Sequence, residues 1–251
     1  MNYFILGAPD HEMIEIARVL TSTHQAFSHA TVSGKVVKSK TAYLATGIEG
    51  VIPAGAELIF VECAVMGLRP TQVIDHHHPG DPGFGMAPKD YLLGSSLGQL
   101  LALLGLEPTA EQRIIAAADH CLKHAYDGEC PGVDIDQLAQ WRVYTRARAR
   151  NISESELVVQ IGAAEKALQA APRIKLADID VAWFEQTTPE LSEASARIGM
   201  PYAYAWAEPD GTLKAGIKSA PAIAVKTWMD TCGLKGVYGD PQRGFAGGYF
   251  R

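Results

Sequence analysis

The sequence predicts an α/β protein: a mainly parallel five-stranded sheet with flanking helices, followed by a smaller α+β domain. Three features predict it. The chain opens with an apolar stretch, Tyr3–Leu6, broken by Gly7-Ala8-Pro9 and followed by a helical pattern, which is how an α/β unit begins. The runs Leu58-Ile59-Phe60-Val61 and Val73-Ile74 are apolar without alternation, as strands buried on both faces are. Beyond residue 172 the pattern changes to short extended segments separated by turns and helices.

The elements follow in order. After Asp10, residues Met13, Ile16, Ala17 and Leu20 share one helical face. Strands are expected around Gln25–Thr31 and Thr41–Thr46, then at Leu58–Val61, which ends in Glu62, and at Val73-Ile74, which runs into Asp75-His76-His77-His78. Pro79–Gly85 holds two prolines and three glycines and reads as a loop. A helix is expected over Pro88–Leu104. Thr109 and Gln112 form a capping box that opens a second, running to Tyr126. Ile135–Arg150 is a third. Ser153 and Glu156 cap a fourth, which continues to Ala170 and stops at Pro172. Ile174–Trp183 then reads as extended and Pro189–Ile198 as helical. Tyr202–Trp206 and Leu213–Ile217 form a hairpin around a turn at Glu208–Gly211. Pro221–Thr231 is a helix stopped near Gly233, and Val237-Tyr238 and Phe245–Phe250 close the module, giving βαββαββ. The expected domains are 1–150 and 173–251, joined by a linker helix over 151–172.

Composition narrows the function. Of 251 residues, 47% are hydrophobic and 20% charged, which is globular rather than disordered composition. The net charge of −6 argues against a long nucleic acid as partner, because that binding rests on many basic contacts to phosphate. No apolar run approaches the roughly 20 residues that span a bilayer, so no membrane partner is expected. Met1–Ala8 lacks the pattern of a signal peptide. Four cysteines without a CxxC pair do not make a disulfide framework. A cytoplasmic protein is expected. All eight histidines lie between His11 and His124.

Charged groups recur where the predicted strands end. Asp10 and Glu12 follow the first strand, Glu62 ends one buried run, and Asp75, His76 and His77 end the next. In open α/β sheets ligands bind at the carboxyl ends of the strands, so these groups converge. Asp119 lies on the apolar stripe of its helix, between Ile115 and Leu122. A carboxylate there needs a partner, and a metal ion is one. Carboxylates and imidazoles without a thiolate suit Mn²⁺ or Mg²⁺ better than a structural zinc. One or two ions fit, and such a centre activates a water and clamps a phosphoryl group. The plainer readings are a helix N-cap for Asp10, a loop acid for Glu62, and an ion pair with an arginine for Asp119.

On these residues the chain resembles the DHH phosphoesterase superfamily. Asp75-His76-His77 after an apolar strand is similar to the family's name-giving motif. Asp10 and Glu12 match its first motif, Glu62 its second, Asp119 its fourth, and Gly94-Ser95-Ser96-Leu97 the helix start after the DHH loop. The C-terminal module resembles the DHH-associated substrate domain, with Gly244-Phe245-Ala246-Gly247-Gly248 in place of its glycine-rich segment. The resemblance implies that Asp10 binds one metal and Glu12 the other, that Glu62 bridges them, and that His76 and Asp119 hold the second. It implies that His77 is catalytic and faces the phosphate. Asp75 would orient His76 or approach a metal itself. Substrate contacts would come from Arg243, Lys218, Gly247 and Gly248.

The implied reaction is Mn²⁺-dependent hydrolysis of a small, nucleotide-type phosphoanhydride or phosphodiester by a metal-activated water. The implied partner is thus a small phosphorylated substrate; a homodimer is left open. The chain departs from the family at Leu6, where the family has histidine, at Glu12 and Glu62, where Asp is usual, and in its histidine-free C-terminal half. Leu6 motivates the alternative: a metal-binding, non-catalytic relative with a ligand-binding or regulatory role.

Two further groups stand out. Arg142, Arg146, Arg148 and Arg150 crowd a helix end and read as dipole-complementing surface or as a phosphate-facing hinge. His120 and His124 share a helix face and read as partly exposed surface, with a zinc site alongside Cys121 or Cys130 as the alternative and with His120 able to lie near the metal as a neighbour of Asp119.

Overall fold

A computed structural model describes all residues except Thr187, Pro209, Asp210, Lys235 and Arg251. The chain forms two compact units, one of Met1–Met86 and Asp90–His120, the other of Ala87–Lys89 and Cys121–Arg251.

The first unit contains β1 (Asn2–Leu6), α1 (His11–Ser22), β2 (Ala26–Val32), β3 (Lys35–Val36), β4 (Gly47–Ile48), β5 (Glu57–Val61), β6 (Gln72–Ile74), α2 (Tyr91–Gly94), α3 (Ser96–Leu103) and most of α4 (Ala110–Tyr126). Its sheet runs β3-β2-β1-β5-β6, with β4 also on β2. β2, β1, β5 and β6 are parallel, and the short β3 and β4 are antiparallel to β2. The expected mainly parallel sheet is therefore present.

Side chains alternate across it: Tyr3 and Ile5 pack with Ala30, Val37 and Phe60 on one side, while Phe4 and Leu6 are buried on the other. Leu6, Val61 and Ile74 stand in one register row, so β1, β5 and β6 end level. Gly7 permits this: a side chain there would place its Cβ 2.2 Å from the Glu62 carbonyl oxygen.

Two expectations need correction. Thr41–Thr46 is not a strand; Ser39–Leu44 is a 3₁₀ helix, started by Thr41 Oγ1 accepting the Lys38 N–H at 3.0 Å. The single helix expected over Pro88–Leu104 is broken at Ser95, whose backbone is extended (ψ 150) and whose Oγ accepts the Gly98 N–H to cap α3. α4 itself is interrupted at Cys121 (φ −154, ψ 55), where the first unit ends.

The second unit contains α5 (Ile135–Arg150), α6 (Glu154–Ala170), β7 (Arg173–Leu176), β8 (Ile179–Phe184), α7 (Leu191–Arg197), β9 (Tyr202–Ala207), β10 (Leu213–Lys218), α8 (Ala222–Thr231), β11 (Tyr238–Asp240) and β12 (Phe245–Phe250). Its sheet runs β11-β12-β10-β9-β8-β7 and is antiparallel except for β8 on β9. Leu157, Ile161, Ala164 and Leu168 of α6 pack with Tyr202 and Tyr204, and Ala224, Val225 and Trp228 of α8 pack with Val181, Ala203 and Ile217. The stretch read as one strand, Ile174–Trp183, is a hairpin, reversed at Ala177 and Asp178, both with positive φ (50 and 63). The module is thus ββαββαββ. The turn expected at Glu208–Gly211 includes Pro209 and Asp210, which lie outside the described residues.

The arginine run of α5 has a structural use that neither sequence reading foresaw. Arg142, Arg146 and Arg150 are spaced to one helix face. Arg142 pairs with Glu193 (2.8 Å), and Arg146 and Arg150 pair with Glu190 (2.6 Å each). Glu193 also accepts from Arg197 (3.1 Å) and the Tyr126 hydroxyl (2.5 Å). Removing the buried Glu193 strands these donors. Glu193→Ala is expected to cost about 3–5 kcal/mol in urea unfolding. Arg148→Ala, which loses contacts to the exposed Tyr144 side chain, is expected to stay within about 0.5 kcal/mol of the parent.

Candidate metal centre

The level ends of β1, β5 and β6 deliver the acids and histidines. Glu62 is the residue after β5 and has a left-handed backbone (φ 50), a conformation that costs a non-glycine residue roughly 1–3 kcal/mol and gathers at functional positions. Asp75, His76 and His77 follow β6. Glu12 comes from the first turn of α1, and Asp119 from α4 just before its interruption.

One ligand atom each from Glu12, Glu62, His76 and Asp119 lies within 4.8 Å of the other three. His76 Nε2 stands 3.1 Å from Asp119 Oδ2 and 3.5 Å from Glu62 Oε1. Glu12, Glu62 and His76 are buried, while the Asp119 side chain is 30% exposed, so the group is open on one side. Glu12 Oε1 accepts the Leu97 N–H (3.0 Å) at the start of α3, an amide that the break at Ser95 makes available. Its other oxygen, Oε2, and Glu62 Oε1 are buried without a hydrogen-bond partner among the described residues.

No arginine or lysine stands among the main causes that shift Glu12 and Glu62. Burial, then Asp119 and Glu62, hold the Glu12 carboxyl well above its ordinary range. Burial, then Asp119 and Asp10, push Glu62 up to about 8, against the lowering influence of His77. Desolvated carboxylates at this spacing fit a divalent cation: the donors are hard oxygens and one imidazole, two of the oxygens have no other partner, and one side is open. These groups could hold a metal ion.

The remaining predicted residues take different positions. Asp10 caps α1, its Oδ1 accepting the Met13 N–H at 2.8 Å. It lies outside the four-residue group, yet desolvation and the Asp119 charge raise it to about 6. Asp75 accepts from the Tyr43 hydroxyl (2.9 Å), the His76 and His77 amides (2.7 and 3.1 Å) and His77 Nδ1 (2.9 Å). It therefore steers His77 and not the His76 ring. Desolvation works against the charge on His77, but the Asp75 bond and the Glu62 and Asp119 charges outweigh it and raise His77 to about 9. His77 is thus pulled toward its charged form, chiefly by Asp75, with 40% of its side chain exposed. Together with Glu62 and His76 it forms a second, overlapping group of ligand atoms.

In the second unit, Lys218 Nζ donates to Ser192 Oγ (3.0 Å), and burial, then Lys214 and Arg146, lower it to about 8. Arg243 covers the Phe245 ring at 5.3 Å. Gly247 and Gly248 sit within β12, in register with Gly216 and Ala215. A Cβ on Gly247 would lie 2.9 Å from the Tyr238 hydroxyl, so packing alone accounts for that glycine.

Sequence reasoning read His120 as partly exposed, though able to lie near the metal beside Asp119; the structure buries it (1% exposed). Its neighbour Asp119 was the available signal, since the side chain after a buried helix carboxylate can reach the same centre.

No family model and no curated protein sequence matches the chain. A solved structure titled as the pGpG-specific phosphodiesterase PggH from Vibrio cholerae aligns with 99% of this chain and 92% of its own, at 10% identity and a TM-score of 0.40. At that level the likeness establishes neither a family nor an activity. Among the described residues, no helix is long and apolar enough to cross a membrane.

The raised Glu62 carboxyl makes stability depend on pH. Without metal, the folded state holds a proton on Glu62 up to about pH 8, whereas an unfolded chain releases it near the ordinary value of 4.5. This contribution is complete below 4.5 and is lost as pH rises through 8. The melting temperature of the EDTA-treated protein is expected to fall across that window. Glu62→Gln, which carries no titrating carboxyl, should flatten the fall.

Proposed function

We propose that the chain is a divalent-metal-dependent phosphoesterase, with Mn²⁺ as its ion, that hydrolyses a small phosphoanhydride or phosphodiester. The observation that carries the reading is the convergence of Glu12, Glu62, His76 and Asp119 at the carboxyl ends of three parallel strands, with partnerless carboxylate oxygens and an open side. The charged His77 beside it adds support.

Glu12, Glu62, His76 and Asp119 would hold the ion, with Asp10 available to a second. A bound divalent ion supplies Lewis-acid activation of water and neutralises charge on the phosphoryl oxygens. The protein's own groups do the rest. Asp75 fixes the Nδ1 side of the His77 ring, so Nε2–H is the edge left to meet a phosphoryl or leaving-group oxygen. With its raised pKa, His77 can donate that hydrogen bond as a cation and pass the proton to a departing oxygen. Burial of Glu12 and Glu62 excludes water from one side of the centre, and the exposed side of Asp119 leaves room for substrate. Lys218 and Arg243 are proposed as cationic contacts for the substrate's phosphate. Lysine near its titration point and without a carboxylate among its causes of shift can gain charge when an anion arrives.

Mn²⁺ titration by calorimetry, with hydrolysis assays on a chromogenic diester, pyrophosphate and dinucleotides, tests the reading. Mn²⁺ should bind the parent and weaken as pH falls below about 8, where Glu62 takes up its proton. His76→Ala should lose more than the roughly 10–100-fold in affinity that removing a supporting partner costs. His77→Ala should keep the metal and lose about 10²–10⁴-fold in kcat. Tight metal binding without turnover of any of these substrates would replace this reading with the non-catalytic one that Leu6 motivates.

A further inference from the structure

His76 is held at both ring nitrogens by two consecutive residues of α4. Asp119 Oδ2 stands 3.1 Å from Nε2, and His120 Nδ1 stands 3.2 Å from Nδ1. The two imidazole planes differ by 24°, and their centroids are 5.4 Å apart. A centroid separation this much larger than the nitrogen separation sets the rings edge to edge and nearly coplanar, the geometry of an N–H···N hydrogen bond rather than of face-to-face stacking. His120 Nε2 lies 3.1 Å from the Met86 carbonyl oxygen.

The hydrogen positions follow from what each atom can do. A carbonyl oxygen only accepts, so His120 Nε2 carries a hydrogen. In a neutral imidazole the other nitrogen then has a lone pair, so His120 Nδ1 accepts. The hydrogen between the rings therefore belongs to His76 Nδ1. That leaves His76 Nε2 as the atom that faces Glu62 and Asp119.

We propose that His120 is a positioning residue: through the relay Met86 O···H–Nε2 His120 Nδ1···H–Nδ1 His76, it fixes the tautomer and ring orientation of His76 so that Nε2 is presented as the metal ligand. The inference rests on the metal-centre reading for its purpose but not for its geometry. Metal-bound histidines need this kind of support, because a ring free to change tautomer or rotate withdraws its lone pair from the site. Here the carboxylate or carbonyl that commonly supplies it is replaced by a second imidazole. The space for that ring comes from Gly94, where a Cβ would lie 2.4 Å from His120 Cε1 and 2.5 Å from its Nε2.

Two measurements separate this inference from the reading it serves. In the ¹⁵N-labelled, metal-free protein, two-bond ¹H–¹⁵N correlations at neutral pH report which His76 nitrogen bears hydrogen, with the signals assigned by loss in His76→Gln. Hydrogen on Nδ1 is expected, whatever the state of Nε2; a bare Nδ1 with hydrogen on Nε2 overturns the proposal, even if metal binds. In calorimetry, His120→Phe keeps the ring volume but offers no acceptor, and its Mn²⁺ affinity should fall roughly 10–100-fold. His120→Gln, which can accept from His76 and donate to Met86, should recover most of that loss. Gly94→Ala removes no polar group, and by displacing the His120 ring it should weaken binding in the same direction. A folded His120→Phe or Gly94→Ala that binds Mn²⁺ as tightly as the parent overturns the proposal. If the parent itself binds no Mn²⁺, the metal-centre reading falls, and the correlation experiment still decides the relay.

Discussion

Three carboxylates, those of Glu12, Glu62 and Asp119, are gathered around one imidazole at the ends of three parallel strands. Each carboxylate opposes the ionisation of the others, and burial opposes all of them. Such an arrangement persists only when protons or a cation hold the charge down. Much of the local backbone serves it. Gly7 lets β1 and β5 end at the same level, Glu62 adopts a left-handed conformation to turn its side chain in, and the interruption at Ser95 exposes a helix N-terminal amide for Glu12. These are departures from regular structure, and all converge on the same few ångströms.

The two adjacent histidines of the triplet are held in opposite ways. His77 is bonded at Nδ1 to a carboxylate that keeps it positively charged. His76 Nδ1 faces another imidazole, that of His120, at 3.2 Å, while its Nε2 faces Asp119 and Glu62. One ring is held against a carboxylate and the other against an imidazole. Neighbours in sequence thus acquire different chemistry from residues 44 positions away and 2 positions away, respectively.

The sequence made the strands and most helices legible because their apolar patterns are decided by burial on one or two faces. Val61-Glu62 and Ile74-Asp75 announced themselves as the points where such runs stop. Three kinds of feature could not be read that way. Thr41 starts a 3₁₀ turn through its own hydroxyl, against its preference for strands, and Ala177-Asp178 reverses the chain without a glycine or proline. Ser95 interrupts a helical pattern whose periodicity continues across the break. His120 looked like a surface residue because helix periodicity assigns faces but cannot say that a glycine on another element, Gly94, has cleared space for a ring. Each of these is set by a contact between distant or irregular segments, and a one-dimensional pattern does not carry such contacts.

A comparison within the chain distinguishes a structural acid from one waiting for a ligand. Glu193 and Glu62 are the same residue type and both are buried, with 1% and 6% of their surface exposed. Desolvation raises the carboxyl in each case. For Glu193 it is outweighed by Arg142, the Tyr126 hydroxyl and Arg197, so the group lies below its ordinary range. For Glu62 only His77 and the Ser96 hydroxyl pull the other way, Asp119 and Asp10 add to the burial, and the group is driven up to about 8. A fold that needed Glu62 only as an ion-pair partner would be expected to supply an arginine, as it does three times for Glu190 and Glu193 on α5 alone. No arginine or lysine stands among the main causes that shift Glu12 and Glu62. Hard oxygen donors, one imidazole and an open side at Asp119 are the chemistry that a small divalent cation takes, and that an arginine partner such as those of Glu190 and Glu193 does not need.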